Sequence, residues 1–304
     1  MSRPVIALVG ATASGKTAAA VEISRRIPIE VVSADSRQIR SEMRLGTAAP
    51  TDAELAAVPH HLVGIVAPDA PWTLADFLAR AREAIEEIQS RDRTPLLIGG
   101  TGQYIWALLE GWQVPHVPPN PALRAQLEAE AESDGTTLHA RLAEFDPASA
   151  ERIDARNLRR VIRALEIIEA TGGPVPPLNR DGADFDWRAT GIEWSREALY
   201  SRADERADAM YRDGLGAETR ALIDRYGRDF DALRSIGYAE AAQLIDGALD
   251  DVAAIERTKT QTHRLIRMQA TWFRTDDDRI AWSDGADLDS LAGAVVDAAG
   301  APVR

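Results

Sequence analysis

The sequence predicts an α/β protein in which a doubly wound parallel sheet carries a helical insertion domain. Short apolar runs alternate with longer helical segments along most of the 304 residues, the pattern of buried parallel strands joined by helices. Between about residues 114 and 186 only helical periodicity remains, and proline-rich stretches border this region on both sides. An insertion into the α/β core explains both features.

The predicted strands are short apolar runs, at residues 5–9, 29–33, 61–66, 94–100, 189–194 and 279–282. A helix is expected to begin near Lys16, and an amphipathic pattern predicts another over residues 72–89 with Thr73 as its N-cap. We therefore expect three sections: residues 1–113 as the first part of the core, 114–186 as the insertion that contacts RNA, and 187–304 as the completion of the core with C-terminal helices.

The composition excludes several classes of protein. The chain has no cysteine, which rules out disulfides and thiolate metal sites, and it has no apolar run long enough to span a bilayer. Its N-terminus leads directly into a predicted strand, so we expect no signal peptide, no membrane partner and a cytoplasmic location. A net charge of −13 argues against indiscriminate nucleic-acid binding, although basic residues on one face could still bind phosphates.

A phosphate-binding loop follows the first predicted strand and precedes the first helix. It has the spacing of glycine, four residues and Gly-Lys-Thr, and it consists of Gly10, Ala11, Thr12, Ala13, Ser14, Gly15, Lys16 and Thr17. In such a loop, backbone N–H groups and the helix N-terminus surround a phosphate, the lysine adds a positive charge, and the threonine hydroxyl serves magnesium. The sequence therefore predicts a P-loop NTPase-like fold that binds a diphosphate or nucleotide at this loop.

Two polar side chains follow other predicted strands at the same edge of the sheet, where doubly wound folds bind their ligands. Asp35 comes after the second strand, and its carboxylate suits a general base, a magnesium ligand acting through water, or a helix cap. Thr101 lies among glycines after the strand at residues 94–100, and it suits either a ligand hydrogen bond or an N-cap. An ATP hydrolase is expected to carry an aspartate there, so its absence weakens the ATPase interpretation.

Several motifs, in this order, resemble those of the tRNA dimethylallyltransferase (tRNA isopentenyltransferase) family. The matching segments extend over nearly the whole chain, and ADSRQ, GGTGQY and RRVIRALEI are quite specific. The other segments are GATASGKT, GTAAP, PHHL, ADF, LLEG, SIGY and QATWFR. The chain departs from the family pattern at Arg40 in place of tyrosine, Ala49 in place of lysine, Gly64 in place of aspartate and Gln103 in place of leucine.

The resemblance implies that the chain transfers a dimethylallyl group from dimethylallyl diphosphate to the exocyclic amine of an adenosine next to the tRNA anticodon. The products are isopentenyladenosine and diphosphate. On that resemblance Asp35 is the general base, Thr101 hydrogen-bonds the bridging oxygen of the donor, and Lys16, Arg206 and Mg²⁺ at Thr17 stabilise the leaving diphosphate. The chain is expected to be a monomer. The implied contacts with the tRNA anticodon stem-loop are Asp35, Ser36, Arg37, Gln38, Thr101, Arg124, Arg159, Arg160, Val161, Ile162 and Arg163.

Two basic segments without acidic residues are candidates for contact with tRNA phosphates. Residues 155–165 contain four arginines, and one broad helix face is expected to carry Arg152, Arg156, Arg159, Arg160 and Arg163. Residues 257–275 are also basic, and an apolar stripe is expected at Leu265, Met268 and Trp272. Either segment alone could be a solvated helix face, whereas both together with the resemblance favour a phosphate-binding surface.

Three other functions fit part of the pattern. A small-molecule P-loop kinase would use arginines of the insertion as a lid over ATP, and an adenylate isopentenyltransferase would act on a free nucleotide. A nucleotide-gated RNA-binding protein would need neither Asp35 nor Thr101. His60 and His61 are expected to be structural, because no third metal ligand lies near them in the sequence.

Overall fold

The computed structural model describes residues 3–133 and 137–300 and contains a six-stranded sheet. The strands are β1 Val5–Val9, β2 Ile29–Ser33, β3 His60–His61, β4 Thr94–Gly99, β5 Trp187–Glu193 and β6 Ile280–Asp284. They lie in the order β3-β2-β4-β1-β5-β6, and every neighbouring pair is parallel. The predicted α/β fold with a doubly wound parallel sheet is confirmed.

The chain divides into two compact units. The first comprises the chain up to Trp72, Asp76–Gly111 and the described residues from Gly182 onward. Besides the sheet it contains a 3₁₀ turn at Asp231–Arg234 and the helices α1 Lys16–Ser24, α2 Asp52–Ala57, α4 Gly102–Leu109, α9 Arg196–Arg212, α10 Leu215–Tyr226, α11 Tyr238–Ile245, α12 Asp251–Trp272 and α13 Leu288–Ala298. It also contains α3 Leu74–Ser90 from Asp76 onward. Within the described ranges, no helix is both long and apolar enough to cross a bilayer.

The second unit comprises Thr73–Ala75 and Trp112–Asp181. It contains the helices α5 Pro121–Ser133, α6 Thr137–Phe145, α7 Pro147–Arg152 and α8 Leu158–Thr171. It has its own apolar core, in which Leu127 of α5, Leu142 of α6 and Leu165 of α8 are buried. The role of residues 114–186 as a separate tRNA-contacting domain stays a prediction.

The central strand β1 is buried along its whole length, as expected in a parallel sheet. Its residues Ile6 and Leu8 pack with Ile23 of α1 and Val295 of α13 in one apolar cluster. Burying a side chain of this size contributes about 1.5–3 kcal/mol to stability. This packing holds the carboxyl end of β1, where the phosphate-binding loop begins.

The third strand is shorter than predicted. It covers His60–His61 only, because Leu62 and Gly64 adopt φ angles of 63° and 64°, which an extended strand cannot accommodate. The structural interpretation of the histidines is confirmed by their contacts. His61 Nε2 lies 2.7 Å from a carboxylate oxygen of the buried Glu30, and His60 Nδ1 lies 2.8 Å from the carbonyl oxygen of Val58.

The predicted single basic helix over residues 152–165 is wrong. The helix α8 begins at Leu158, where the side chain of Asn157 accepts a hydrogen bond from the backbone N–H of Arg160. Arg152 lies at the end of α7, and Arg156 lies in the turn before α8, where it pairs with Asp154. A cap in the middle of the basic segment therefore separates these two arginines from the face that follows it.

The buried face of α12 does not coincide with the predicted apolar stripe. Met268 is 57% exposed, whereas the buried positions are Ala254, Thr258, Thr262, Ile266 and Gln269. The hydroxyls of both threonines donate to backbone carbonyls one turn earlier, which satisfies their polar groups inside the protein. A partly polar buried face cannot be recognised from apolar spacing alone.

Candidate active site

The phosphate-binding loop presents hydrogen-bond donors to a ligand. The N-terminus of α1 has no side-chain cap, so the N–H groups of its first turn are available. Within the described part of the chain, the buried Ser14 Oγ has no hydrogen-bond partner. Ala13 and Gly15 adopt φ angles of 65° and 95°, the kind of backbone geometry that forms anion-binding nests. These features fit a bound phosphate or diphosphate.

Lys16 supplies the positive charge of this loop. Its Nζ donates to the carbonyl oxygens of Gly10 and Ala11, each at 2.9 Å. Burial lowers the pKa of Lys16 to about 8, while the negative charge of Asp35 opposes this shift and the positive charge of Arg206 adds to it. An anion in the loop would therefore stabilise the charged form of Lys16.

Helix α9 brings two arginines to the loop. Arg206 Nη2 donates to Thr12 Oγ1 at 2.6 Å, and burial lowers the pKa of its guanidinium. Arg202 Nε donates to the carbonyl oxygen of Ala13 at 2.8 Å, and its guanidinium lies 4.5 Å from the ring centre of Trp194. The sequence analysis identified Arg206 but not Arg202, whose hydrogen-bond acceptor Ala13 lies 189 positions away in the chain.

Asp35 lies just beyond β2 at the carboxyl edge of the sheet. Its Oδ1 accepts hydrogen bonds from the backbone N–H groups of Arg37 at 2.8 Å and Gln38 at 3.3 Å. The carboxylate lines the same cavity as Lys16 and interacts electrostatically with it. Asp35 therefore caps its own turn, and its position also suits a general base or a magnesium ligand.

Thr101 contacts the turn that carries Asp35. Its Oγ1 accepts a hydrogen bond from the backbone N–H of Ser36 at 3.1 Å and lies 3.3 Å from Ser36 Oγ. Although Thr101 occupies the N-cap position of α4, its hydroxyl makes no capping hydrogen bond. The alternative in which this side chain serves only as an N-cap is therefore wrong.

Gln269 joins two loops of the site and was not identified from the sequence. Its Oε1 accepts a hydrogen bond from the backbone N–H of Thr12 at 2.7 Å, and its Nε2 donates to the carbonyl oxygen of Gly100 at 2.9 Å. A Cβ atom on Gly100 would overlap the Gln269 amide, so glycine is required for this close approach. The carboxamide thereby holds the phosphate-binding loop at a defined distance from the segment that carries Thr101.

Lys16, Arg202, Arg206, Asp35 and Gln269 line one cavity of about 490 Å³, whereas Thr101 is not among its lining residues. Its cationic side chains come from the loop and from α9, and its carboxylates come from three different segments. The charged lining residues are Lys16, Arg202, Arg206, Asp35, Glu54 and Glu205. The uncharged lining includes Thr12, Thr17, Gln38, Thr47, Ala48, Gly100 and Gln269. The cavity therefore combines phosphate-binding groups with a carboxylate able to accept a proton.

A divalent metal fits this site together with a phosphorylated ligand. Thr17 lies in the first turn of α1, and both Thr17 and Asp35 line the cavity. Over residues 3–133 and 137–300, no three His, Cys, Asp or Glu side chains gather to hold a metal by themselves. Mg²⁺ is commonly bound by one or two protein oxygens plus substrate phosphates, and the residues present here match that pattern.

The residues predicted to bind tRNA differ in exposure. Arg37, Arg159 and Arg160 are exposed. Val161 and Ile162 are only 1% and 5% exposed and belong to the apolar core of the second unit, so their side chains cannot contact tRNA in this conformation. Their position on the inner face of α8 follows from the helical period.

Arg124 and Arg163 both engage a buried carboxylate inside the second unit. Arg124 donates to the two oxygens of Glu166 at 2.7 and 2.8 Å, and Arg163 donates to Glu166 at 3.3 Å and to the carbonyl oxygen of Val117 at 2.8 Å. Burial acts to raise the pKa of Glu166, but the hydrogen bonds from Arg124 and its neighbours outweigh burial and lower it overall. These arginines therefore have structural partners that the sequence did not reveal.

Comparisons with known proteins agree with the motifs. A family model described as IPP transferase matches residues 38–276, and one described as isopentenyl transferase matches residues 3–61. The tRNA dimethylallyltransferase of Chloroflexus aurantiacus is 48% identical over 273 residues, covering 89% of this chain and 92% of that relative. The tRNA dimethylallyltransferase of Herpetosiphon aurantiacus is 44% identical over 291 residues, covering 95% and 92%.

Two solved structures share the fold of this chain. The full-length tRNA isopentenylpyrophosphate transferase of Bacillus halodurans has a TM-score of 0.72 at 34% identity, covering 98% of this chain and 97% of that one. A eukaryotic dimethylallyltransferase acting on tRNA has a TM-score of 0.80 at 23% identity and shares the fold. The family expected from the sequence motifs is confirmed: this chain belongs to the IPP transferase family, together with the tRNA dimethylallyltransferases it resembles.

Proposed function

We propose that the chain transfers a dimethylallyl group from dimethylallyl diphosphate to the exocyclic amine of an adenosine next to the tRNA anticodon. The observation that carries the proposal is that Lys16, Arg206 and Asp35 line one cavity in a chain of this family. The allylic C–O bond breaks, and its electrons leave with the diphosphate. A C–N bond forms to the adenine nitrogen, whose proton passes to the Asp35 carboxylate.

The donor end of the site is the phosphate-binding loop. The uncapped N-terminus of α1 offers hydrogen bonds, while Lys16 and Arg206 offer positive charge. These groups stabilise the charge that grows on the diphosphate as the allylic carbon departs. Mg²⁺, bound by Thr17 and the diphosphate oxygens, would supply further neutralisation of the leaving group.

The acceptor end is the turn at residues 35–38. In the proposed scheme Asp35 accepts the amine proton, and Thr101 hydrogen-bonds the oxygen that bridges the allylic carbon and the diphosphate. The support is that Thr101 Oγ1 hydrogen-bonds Ser36, next to Asp35, while Gln269 joins the Thr101 segment to the loop. The target base must leave its stack to reach such a site.

The tRNA contacts are proposed to come from the turn at residues 35–38 and from the exposed arginines of α8. Arg159 and Arg160 are exposed and follow the cap of this helix, so their charge is available to phosphates. We also propose that Arg124 and Arg163 contact tRNA and that residues 114–186 form the tRNA-contacting insertion domain. The protein is further proposed to be a cytoplasmic monomer.

Mass spectrometry of tRNA nucleosides tests the function. The protein is incubated with tRNA, Mg²⁺ and dimethylallyl diphosphate, and isopentenyladenosine is expected in the digest only when all components are present. ATP consumption is measured in parallel with small-molecule acceptors. If ATP is consumed and no prenylated nucleoside forms, the protein is a small-molecule kinase and the proposed function is wrong.

Asp35→Asn tests the general base. The single-turnover rate at saturating substrates is expected to fall about 10²–10⁴-fold, because the amide cannot accept the proton. Glu205→Gln is the matched control, since this carboxylate lines the same cavity but has no proposed part in the chemistry. A single-turnover rate near wild type in both variants would show that Asp35 is a cap or a dispensable metal contact.

A further inference from the structure

The loop from Arg44 to Ala48 forms part of the cavity wall and is held by two helices of the first unit. Thr47 and Ala48 line the cavity, whereas Glu218 on α10 and Tyr238 at the start of α11 are not lining residues. Both of these side chains nevertheless bond directly to the backbone of the loop.

Glu218 receives hydrogen bonds from three donors. The backbone N–H of Leu45 donates to its Oε1 at 3.0 Å, and the backbone N–H of Arg44 donates to its Oε2 at 3.2 Å. The hydroxyl of Tyr238 also donates to Oε1. A carboxylate that accepts two successive backbone N–H groups is a charge-assisted anchor, roughly twice as strong as neutral hydrogen bonds.

Tyr238 is 0% exposed, and its hydroxyl accepts a hydrogen bond from the backbone N–H of Gly46 at 3.2 Å. Burial raises the pKa of Tyr238, and the adjacent Glu218 raises it further, so the phenol stays protonated as a donor. The ring packs so closely on Gly46 that a Cβ atom there would overlap it. The phenol of Tyr238, in the SIGY segment, therefore contacts the backbone of the loop from inside the protein.

The loop in turn holds Gln38. Gln38 Nε2 donates to the carbonyl oxygen of Ala48 at 2.9 Å and lies 3.4 Å from that of Thr47. The backbone N–H of Gln38 donates to Asp35 Oδ1 at 3.3 Å. A displacement of the loop would therefore be transmitted to the turn that carries Asp35.

We propose that Glu218 and Tyr238 are positioning residues for prenyl transfer. They hold the loop from Arg44 to Ala48 and, through Gln38, the turn of Asp35, without touching either substrate. This inference rests on the proposed function, because Asp35 needs accurate placement only if it accepts a proton from the bound base. Displacements of about 1 Å can cost about 10²-fold in rate.

Tyr238→Phe is the direct test, because it removes the hydroxyl and keeps the packed ring. Tyr211→Phe is the matched control: its hydroxyl lies 3.0 Å from Thr258 Oγ1, and Tyr211 packs against the same apolar cluster as Tyr238. Glu218→Gln tests the same anchor by a second route and serves if Tyr238→Phe does not fold. Amide hydrogen exchange, donor affinity and single-turnover prenyl transfer to tRNA are measured on each variant.

The Leu45 and Gly46 amides are expected to exchange about tenfold faster or more in Tyr238→Phe than in wild type or Tyr211→Phe. The single-turnover rate is expected to fall about tenfold to hundredfold, with donor affinity changed by no more than about twofold. Unchanged exchange of these amides, or a rate equal to that of Tyr211→Phe, overturns the inference while wild type remains active. A wild-type chain that transfers no prenyl group overturns the proposed function and the inference with it.

Discussion

The lowered pKa of Lys16 predicts that binding of dimethylallyl diphosphate depends on pH. Burial brings the pKa of Lys16 to about 8, so the free protein loses this proton as the pH rises through that value. A bound diphosphate favours the ammonium and keeps it protonated to higher pH. Affinity is therefore expected to be level up to about pH 7 and then to weaken, approaching about tenfold per pH unit above pH 8.

Calorimetric titration of the protein with dimethylallyl diphosphate, in the absence of tRNA, measures this effect at pH 7, 8 and 9. The donor's phosphates are already ionised in this range, since a phosphate ester has its second pKa near 6. Buffers with different ionisation enthalpies report proton uptake, which is expected to approach about one proton per donor bound at pH 9. Lys16→Arg is the control, because a guanidinium stays charged and its affinity, though lower, should not vary with pH.

The neighbours of Lys16 give the prediction a second test. Asp35 acts to raise the pKa of Lys16, so Asp35→Asn is expected to move the loss of affinity to lower pH. Arg206 acts to lower the pKa of Lys16, so in Arg206→Gln the loss of donor affinity should begin at higher pH. The affinity of this variant should also be weaker at every pH. A wild-type affinity that stays constant from pH 7 to 9, with no proton uptake, would refute the reasoning.

Three further predictions concern the supports of the site. Gln269→Met leaves two backbone groups without their hydrogen-bond partner, at a cost of about 1–3 kcal/mol each, so donor affinity and melting temperature should both fall. The control Gln261→Met, on the same helix, should change neither quantity. Equal behaviour of the two variants would contradict the role of Gln269 in joining the two loops. Replacing Arg159 and Arg160 by glutamine should reduce the salt dependence of tRNA affinity by about 0.7–0.9 in log–log slope for each phosphate that is no longer neutralised, and an unchanged slope marks a solvated face. Arg124→Ala should destabilise the second unit by about 2–4 kcal/mol by leaving a buried carboxylate undercompensated, and protease resistance equal to wild type would contradict this.

Most of the sheet could be predicted because each strand is a local pattern. The apolar run before Gly10 and the run at Thr94–Gly99 are buried along their whole length, so their composition alone identifies them. The prediction failed where a few backbone angles decided the outcome, as at Leu62, which ends β3 early. The buried face of α12 was not identified from the sequence, because a face made partly of threonine and glutamine does not stand out by hydropathy.

The family and the phosphate-binding loop motif could be recognised from the sequence, and Asp35 and Thr101 could be named as candidates, because motifs that are contiguous in the chain have local physical requirements. What holds these groups in place became visible only in the folded chain. Thr12 and Gln269 are 257 positions apart, and Gly46 and Tyr238 are 192 apart, so no local pattern could pair them. These side chains meet only after the strands and helices pack together. Because hydrogen bonds act over about 3 Å, spatial proximity and not sequence spacing selects the partners.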